Sequence, residues 1–304
     1  MKHFNKENII LKKFLQPVKE FHVINKSQFP RITIVTPSFN QGPYLERTIL
    51  SVLNQQYPNL QYIIMDGAST DHSTKIIKRY EKYLYFWQSK PDKGQSDAID
   101  NGFEMADGEI LAYLNSDDIY WPGALNFIGE YFLKHPDVDV VFGNSYIIDE
   151  KDTILREKRS VKFSKLGLLT GSFDLHQASI FWTKSVYDKV SGLDKSLHLT
   201  MDRDLWLRFL KNGAQFHYVS QTLSCYRHHQ ETKSFTQMQA MKEEYNRIMI
   251  RNFNMDMNKI RFKLLRKMMR LRTLFLHLLT GNISYLWTSA GRNYYYIKNM
   301  KSIE

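Results

Sequence analysis

Between residues 31 and 142, short apolar runs rich in β-branched residues alternate with segments of helical hydrophobic period, and few folds accept that alternation. Residues 31–36 (RITIVT) predict a buried strand, ended by Pro37 and Ser38. In 44–54, Leu45, Ile49, Val52 and Leu53 share one helical face. Further strands are predicted over 61–65, 85–88, 109–114 and 138–142, and helices over 73–82, 96–105 and 124–134. Strand and helix in turn predict an α/β fold, a mostly parallel sheet flanked by helices on both faces. Beyond 145 the pattern is less regular: a buried-looking strand in ASIFW, helices at 185–189 and 202–212, and a strand at 215–218. Residues 1–30 read as a lead-in with no defined element.

Composition narrows the class. A chain of 304 residues with 43% hydrophobic and 24% charged residues is globular, with room for one large domain and a tail. The single cysteine, Cys225, excludes a disulfide framework or a Cys-rich zinc site and points to a reducing compartment. No stretch approaches the roughly 20 apolar residues that a membrane span needs. The N-terminus is basic without a sustained apolar core, unlike a signal peptide. A cytoplasmic protein is expected. Its net charge of +11 is concentrated: residues 241–304 carry 13 Lys/Arg against 4 Asp/Glu, whereas 1–240 carry 29 against 27. The domain over 31–240 is therefore close to neutral, which argues against a nucleic-acid partner.

Polar, acid-rich clusters follow three of the strands: TPSFN, DGASTD and NSDD. Open α/β sheets bind ligands at the carboxyl ends of their strands, so a site is expected there. In Asn115-Ser116-Asp117-Asp118, two adjacent carboxylates repel unless solvent or a cation separates them. Hard oxygen ligands of this kind suit Mg²⁺ or Mn²⁺ bridging to phosphates. A helix cap before Trp121-Pro122 accounts for the same residues equally well. In the second cluster, Gly67 lets the backbone approach a ligand, Asp66 could accept from a base or ribose, and Asp71 could cap a helix at Ser73. A simple capped turn is the competing reading. Asp92-Lys93-Gly94-Gln95-Ser96-Asp97 is a similar turn with a lysine able to meet phosphate.

Taken in order, IVTPSFNQ, MDGASTD, DKGQSDAIDNG and YLNSDD resemble the family 2 glycosyltransferases of GT-A (Rossmann-like) fold, of the bacterial surface-polysaccharide type, over residues 31–235. The resemblance implies a nucleotide-sugar donor, UDP-linked, a divalent cation (Mn²⁺ or Mg²⁺) and inversion at the anomeric carbon. It places Thr36, Pro37, Ser38, Asn40, Asp66, Lys93, Gly94, Asp97, Asn115 and Ser116 around the donor, with Asp66 at the base. Asp117 falls near the ribose, and Asp118 at the metal and diphosphate. The chain departs from the family at Asn115, where a carboxylate is usual and an amide is a poorer metal ligand.

The base motif is matched by Met201-Asp202-Arg203-Asp204-Leu205, with Met201 in place of a glutamate, so Asp202 inherits the role of general base. An attacking hydroxyl must lose a proton, and a positioned carboxylate can take it. Asp202 and Asp204 project about 200° apart on a helix, so only one can face the cleft. Either could instead simply favour a helix N-terminus. Tyr226-Arg227-His228-His229 resembles the family's late Arg-x-His element, with His229 as a metal ligand. His176 and Arg203 fall on the acceptor side, where a glycan or lipid-linked glycan is implied.

The basic tail over 241–304 holds a predicted helix at 258–279. Ile260, Leu264, Met268, Leu271, Phe275 and Leu278 form one stripe, and Lys259, Lys263, Arg266 and Arg270 another. Such a helix could lie on an anionic membrane, at the inner face of the cell membrane. Alternatively its apolar stripe packs on the domain and its basic face is only solvated. Tyr285, Trp287, Tyr294, Tyr295 and Tyr296 suit an interface or a homo-oligomer contact. A sugar nucleotidyltransferase would need a basic, Gly-rich loop after the first strand, and TPSFNQG has one glycine and no basic residue. A non-catalytic glycan- or nucleotide-binding scaffold of the same fold stays open on Asn115 and Met201.

Overall fold

The computed structural model describes residues 4–17, 28–173, 175–229 and 237–279. Strands β1 (Ile32–Ser38), β2 (Leu60–Asp66), β3 (Phe86–Ser89) and β4 (Ile110–Tyr113) pair in parallel in the order β3-β2-β1-β4. β1 is inside this block and buried along its whole length, as a continuous apolar run requires when both faces are covered. Helices α2 (Gly42–Leu53), α3 (Ser73–Tyr80) and α4 (Gln95–Glu104) make the crossovers. α4 rests almost on the strand: a Cβ on Gly102 would come 2.6 Å from Val35 Cγ1, so the contact tolerates no side chain there.

The second half mixes directions. β6 (Val140–Ile148) and β9 (Phe216–Arg227) are parallel to each other, while β8 (Ile180–Thr183) inserts antiparallel between β4 and β6. Two short strands finish the sheet, β5 (Ile119–Tyr120) on β9 and β7 (Ile154–Lys158) on β6, both antiparallel. The expected mostly parallel α/β sheet is thus present, with antiparallel additions in the region of weaker pattern. β9 runs on to Arg227 rather than stopping at 218, because after register shifts around Asn144 its residues 222 and 224–227 continue to pair with β6.

Helices α5 (Ala124–Lys134), α6 (Lys165–Leu169), α7 (Lys184–Lys189) and α8 (Met201–Lys211) pack around this half. Trp182 of β8 meets Trp206 of α8 with ring centroids 5.1 Å apart, and Phe103 of α4 meets the same indole at 5.7 Å. Both tryptophans are fully buried, so this contact fixes α8 on the sheet; emptying such a site costs about 3–5 kcal/mol.

The lead-in contains a helix, α1 (Asn5–Phe14), which the sequence reading lacked. Its one fully buried residue, Leu11, lies in a small cluster with Leu15, Ile119, Ile148, Ile154 and Cys225, against which Phe14 also packs, and Asn8 accepts from the Ile154 N–H at 2.8 Å. Cys225 is enclosed there, and burial pushes its thiol well above the usual range. At the other end lie α9 (Met238–Phe253) and α10 (Ile260–Leu279). α10 docks on α6 through Phe262, Met269, Thr273 and His277, all buried. The stripe of Ile260, Leu264, Met268, Leu271, Phe275 and Leu278 is exposed, which corrects the reading in which that stripe packs on the domain. Arg266 is also not on the open basic face: it is half-buried, and burial together with the charges of Arg270 and Arg203 lowers its pKa. Tyr285, Trp287, Tyr294, Tyr295 and Tyr296 lie outside the described residues.

Candidate active site

The polar clusters after β1, β2 and β4 come together at one edge of the parallel block. Ser38 and Asp66 are register partners at the ends of β1 and β2. Behind them Thr36 is buried, its Oγ1 hydrogen-bonded to the Tyr62 hydroxyl at 3.1 Å, and Pro37 faces Met65. Asp66 is 2% exposed: Oδ2 accepts from the Ser69 N–H at 2.9 Å and the Ser89 hydroxyl at 2.6 Å, and Oδ1 from the Ser69 hydroxyl at 2.5 Å. A carboxylate offers about four acceptor sites, so these bonds orient Asp66 and leave one for a ligand N–H or O–H. Ser38 Oγ is buried beside it with no partner among the described residues, an orphan of the kind that a bound ligand satisfies.

The two loops are stitched together. Asn40, at φ 51°, donates its N–H to Ser69 Oγ at 2.8 Å and accepts at Oδ1 from the Thr70 N–H at 2.9 Å. Asp71 accepts from the Gly42 and Ser73 N–H groups, both at 2.9 Å. Burial acts to raise Asp71, but those bonds hold it below its usual value, so it stays charged and caps two helix starts at once. In the next loop Gly94 begins α4 at φ 117°, a conformation that favours glycine, and its N–H meets Asp92 Oδ1 at 2.8 Å. Lys93 is exposed, and its backbone N–H donates to Asp97 Oδ2 at 3.1 Å.

The loop after β4 divides its two carboxylates. Asn115 Oδ1 accepts from Gln95 Nε2 at 2.7 Å, and the Thr48 hydroxyl lies 2.9 Å from the Ser116 carbonyl and 2.7 Å from that of Asp118. The Asp118 side chain turns inward: it is 1% exposed, and Oδ1 accepts from the Arg227 N–H at 2.9 Å while Oδ2 has no hydrogen-bond partner among the described residues. Burial, then the Asp117 charge, pushes Asp118 well above the usual carboxylate range, against the Arg227 and Asn115 contacts. The Asp117 side chain is 23% exposed and its Oδ2 lies 2.9 Å from His229 Nε2. The placement differs from the expected one, in which Asp118 joined His229. β9 decides the placement: its last residue, Arg227, brings its N–H to Asp118, and His229 just beyond it meets Asp117.

Arg227 is the strut of this corner. Nε donates to the Asp117 carbonyl at 2.7 Å and Nη1 to the Asp149 carbonyl at 2.9 Å, while Nη2 lies 2.6 Å from Asp152 Oδ1. Its guanidinium stacks on Tyr44 at 5.1 Å, and the Tyr44 ring also lies 5.0 Å from that of His229. Arg227 is fully buried and committed inward rather than aimed at a ligand. His228 is pushed down to about 4, by burial first and then by Arg156, Lys158 and His229, so it is neutral at pH 7.

α8 carries Asp202 in its first turn, half-buried, with Oδ1 accepting from the Arg203 N–H at 2.7 Å. Its charge reaches the end of β4: burial, then Asp202 and Asp118, push the Tyr113 hydroxyl well above its ordinary value. Asp204 is fully buried and belongs to the scaffold, 2.6 Å from Arg208 Nε and 3.1 Å from Arg251 Nη2. The helical geometry therefore separates the pair as expected. Arg203 lies over the Tyr245 ring at 5.2 Å, and His176 packs edge-on to Tyr226 at 5.8 Å.

The residue that sequence reasoning missed is Glu244. It reaches from α9 to the loop before α8 and accepts from the N–H groups of His198 (3.1 Å), Leu199 (3.0 Å) and Thr200 (2.7 Å) and from the Thr200 hydroxyl (2.7 Å). Burial acts to raise Glu244, and these bonds hold it below its usual value. An anion thus anchors the start of the helix that carries Asp202. The only signal was an acidic pair, Glu243-Glu244, in an otherwise basic segment.

Among the described residues no three His, Cys, Asp or Glu side chains gather into a metal cage. Asp117 and His229 are one oxygen and one imidazole donor in contact at the cleft, a set that suits Mn²⁺ or Mg²⁺ only if a ligand's phosphates supply the rest of the shell.

The model of Glycosyl transferase family 2 matches residues 33–190. An uncharacterized glycosyltransferase of Rickettsia typhi is 29% identical over 190 residues, 60% of this chain and 59% of that relative. Among solved structures, Staphylococcus aureus TarS 1–349 in complex with UDP-GlcNAc superposes with a TM-score of 0.60 at 14% identity, over 81% of this chain and 72% of that TarS fragment. The Pyrobaculum calidifontis mannosyltransferase PcManGT, in complex with GDP-Man and Mn²⁺, superposes with a TM-score of 0.59 at 14% identity, over 94% of this chain and 86% of PcManGT. Both carry the GT-A fold, and at that identity the likeness establishes the fold alone.

Proposed function

The chain belongs to glycosyl transferase family 2, and from that premise we propose that it moves a hexosyl or N-acetylhexosaminyl group from a UDP-sugar to a hydroxyl of a glycan or lipid-linked glycan, with inversion. What supports the reading is the gathering of acceptors near the ends of β1, β2 and β4: an oriented Asp66 beside the orphaned Ser38, the Asp117–His229 contact, and Asp202, whose charge acts on Tyr113 at the end of β4. Asp66 takes an N–H of the base, and the loops around Asn40 and Gly94 hold the ribose and diphosphate. Lys93, exposed at the rim, meets phosphate. The acceptor enters past His176 and Arg203. As its oxygen bonds to the anomeric carbon, the bond to the diphosphate breaks, the electron pair leaves with the diphosphate, and Asp202 takes the hydroxyl proton. A divalent cation, Mn²⁺ or Mg²⁺, held by Asp117 and His229, would supply charge to offset that of the departing diphosphate. The protein would work in the cytoplasm, at the inner face of the cell membrane where a lipid-linked acceptor is found.

A screen of UDP- and GDP-sugars for cation-dependent hydrolysis tests this reading. Release of UDP that requires Mn²⁺ or Mg²⁺ is expected. Hydrolysis confined to a GDP-sugar would move the donor assignment to guanosine. Nucleotide binding without turnover of any sugar, with or without a glycan acceptor, would leave a binding scaffold.

A further inference from the structure

The outer face of α10 is built as the inverse of an ordinary surface helix. Ile260, Leu264, Met268, Leu271, Phe275 and Leu279 are 57–73% exposed. On a helical projection these residues and Leu278 fall in an arc of about 100°, opposite the buried Phe262, Met269 and Thr273. The charges border that arc on both sides. Arg261 and Arg272 lie along one edge, and Lys263, Lys267 and Arg270 along the other, all exposed. The helix contains no acidic residue. An apolar strip of this length, turned away from the domain, is larger than soluble monomers ordinarily leave open.

We infer that α10 is an in-plane anchor for an anionic lipid surface, its apolar strip entering the acyl boundary and its two basic rows reaching the headgroups. Three features select this occupant. Uniform positive charge on both edges complements an anionic plane on either side of the strip. A second copy of the helix would set those same rows against each other, since a two-fold contact faces like with like. Lys and Arg beside an apolar strip also place their stems in the hydrocarbon margin and their charges in the headgroups. Spanning is not the mode: among the described residues no helix is long and apolar enough to cross a membrane. The inner face of α10 packs on α6 and shares Arg266 with the surroundings of Arg203 and Tyr245, so the anchor is rigidly attached near the acceptor side of the cleft. The inference bears on the lipid-linked acceptor proposed above, but it stands on the surface of α10 and not on the chemistry.

The test uses the full chain and sedimentation with two kinds of vesicle, phosphatidylcholine alone and phosphatidylcholine mixed with phosphatidylglycerol. Binding to the anionic vesicles only is expected, weakened at least tenfold when salt is raised from about 0.1 M to about 1 M, where the screening length falls from about 10 Å to about 3 Å. Replacing Leu264, Met268, Leu271 and Phe275 together by Gln should abolish binding. Replacing Arg261, Lys263, Lys267, Arg270 and Arg272 by Gln should weaken it at least tenfold. Both variants alter exposed positions only, and circular dichroism with thermal melts confirms that they fold. A parent protein that ignores anionic vesicles at low salt overturns the inference. So does an apolar-strip variant that binds like the parent, or a vesicle-indifferent dimer that the same variant converts to monomer. Donor hydrolysis measured on the same samples is independent of these outcomes, so failure of the anchor and failure of the catalytic reading are told apart.

Discussion

On the proposed donor side, the loops after β1 and β2 are tied to each other directly, Asn40 to Ser69 and Thr70, and Asp71 to Gly42 and Ser73. On the proposed base side, the loop before α8 is held by Glu244, 44 to 46 positions downstream, in a helix that charge counting assigns to a tail. The donor side is assembled from crossovers that each contribute a strand end and a helix start, so its polar residues are motif-like. The base side is assembled from distant pieces, and its support is invisible until α9 folds back. The same contrast runs through the acidic pairs. Asp117 and Asp118, like Asp202 and Asp204, each split into one partly exposed member and one buried in the scaffold.

Asp202 and Asp204 are expected to differ most. Asp202→Asn is expected to lower kcat by about 10²–10⁴-fold with the donor KM unchanged, the scale of a lost general base. Asp204→Asn should leave the pH dependence of the remaining activity intact but lower stability by about 3 kcal/mol, because Arg208 and Arg251 lose a buried charge partner. Steady-state kinetics beside urea melts separates the two, and a reversal of the pattern would exchange their roles.

The split of the other pair is sharpened by calorimetry of UDP binding with and without Mn²⁺. Asp117→Asn is expected to weaken the cation-dependent part by about 10–100-fold, as for loss of a metal-side group, whereas Asp118→Asn should retain it. Asn keeps an acceptor for the Arg227 N–H, so the Asp118 variant is expected to fold. Loss of cation dependence in Asp118→Asn alone would return the metal to Asp118.

Glu244→Gln tests whether the base side depends on its distant support. It should lower kcat about tenfold with the donor KM unchanged and destabilise by about 1.5 kcal/mol, the scale of charge-assisted hydrogen bonds. Glu244→Asp, which keeps the charge, should recover part of the kcat. Equal loss of kcat in both, or a rise in donor KM, would mean that Glu244 only holds the fold.

The smallest effect concerns His228. Its pKa is pushed down to about 4 in the folded protein, so below the ordinary histidine value of about 6.5 the unfolded chain binds the extra proton and stability falls as pH drops from about 6.5 to about 4. Asp71, Glu244 and Asp194, which the fold holds below their usual values, lose their contribution in a lower window, under the ordinary carboxylate range. His277, also pushed down to about 4 by burial, acts in the same window, so His228→Asn should remove only part of the upper acid limb in denaturant melts and leave the lower part in place.

Local pattern carried the donor half of this protein. The runs ITIVTPS and LQYIIMD are apolar on both faces, and only a covered parallel sheet buries such runs. Gly, Asp and Ser follow each run because a strand must turn into a helix there, and those residues hold turns and helix starts through their own backbone neighbours. Asp66, Asp71, Asn115 and Asp202 could accordingly be named from the chain. What tertiary structure decided was direction and distance. Sequence places Asp117 and Asp118 side by side but cannot say which is turned in; β9 decides it, by bringing the Arg227 N–H to Asp118 and His229 to Asp117. Sequence gives α10 two surfaces able to bury themselves, and α6 takes the one with Phe262 and Met269, leaving the longer apolar strip in the open. α1 rests on a single buried leucine, and Glu244 on one acid in a basic segment, signals that become structure only when a partner far along the chain supplies the other half of the contact.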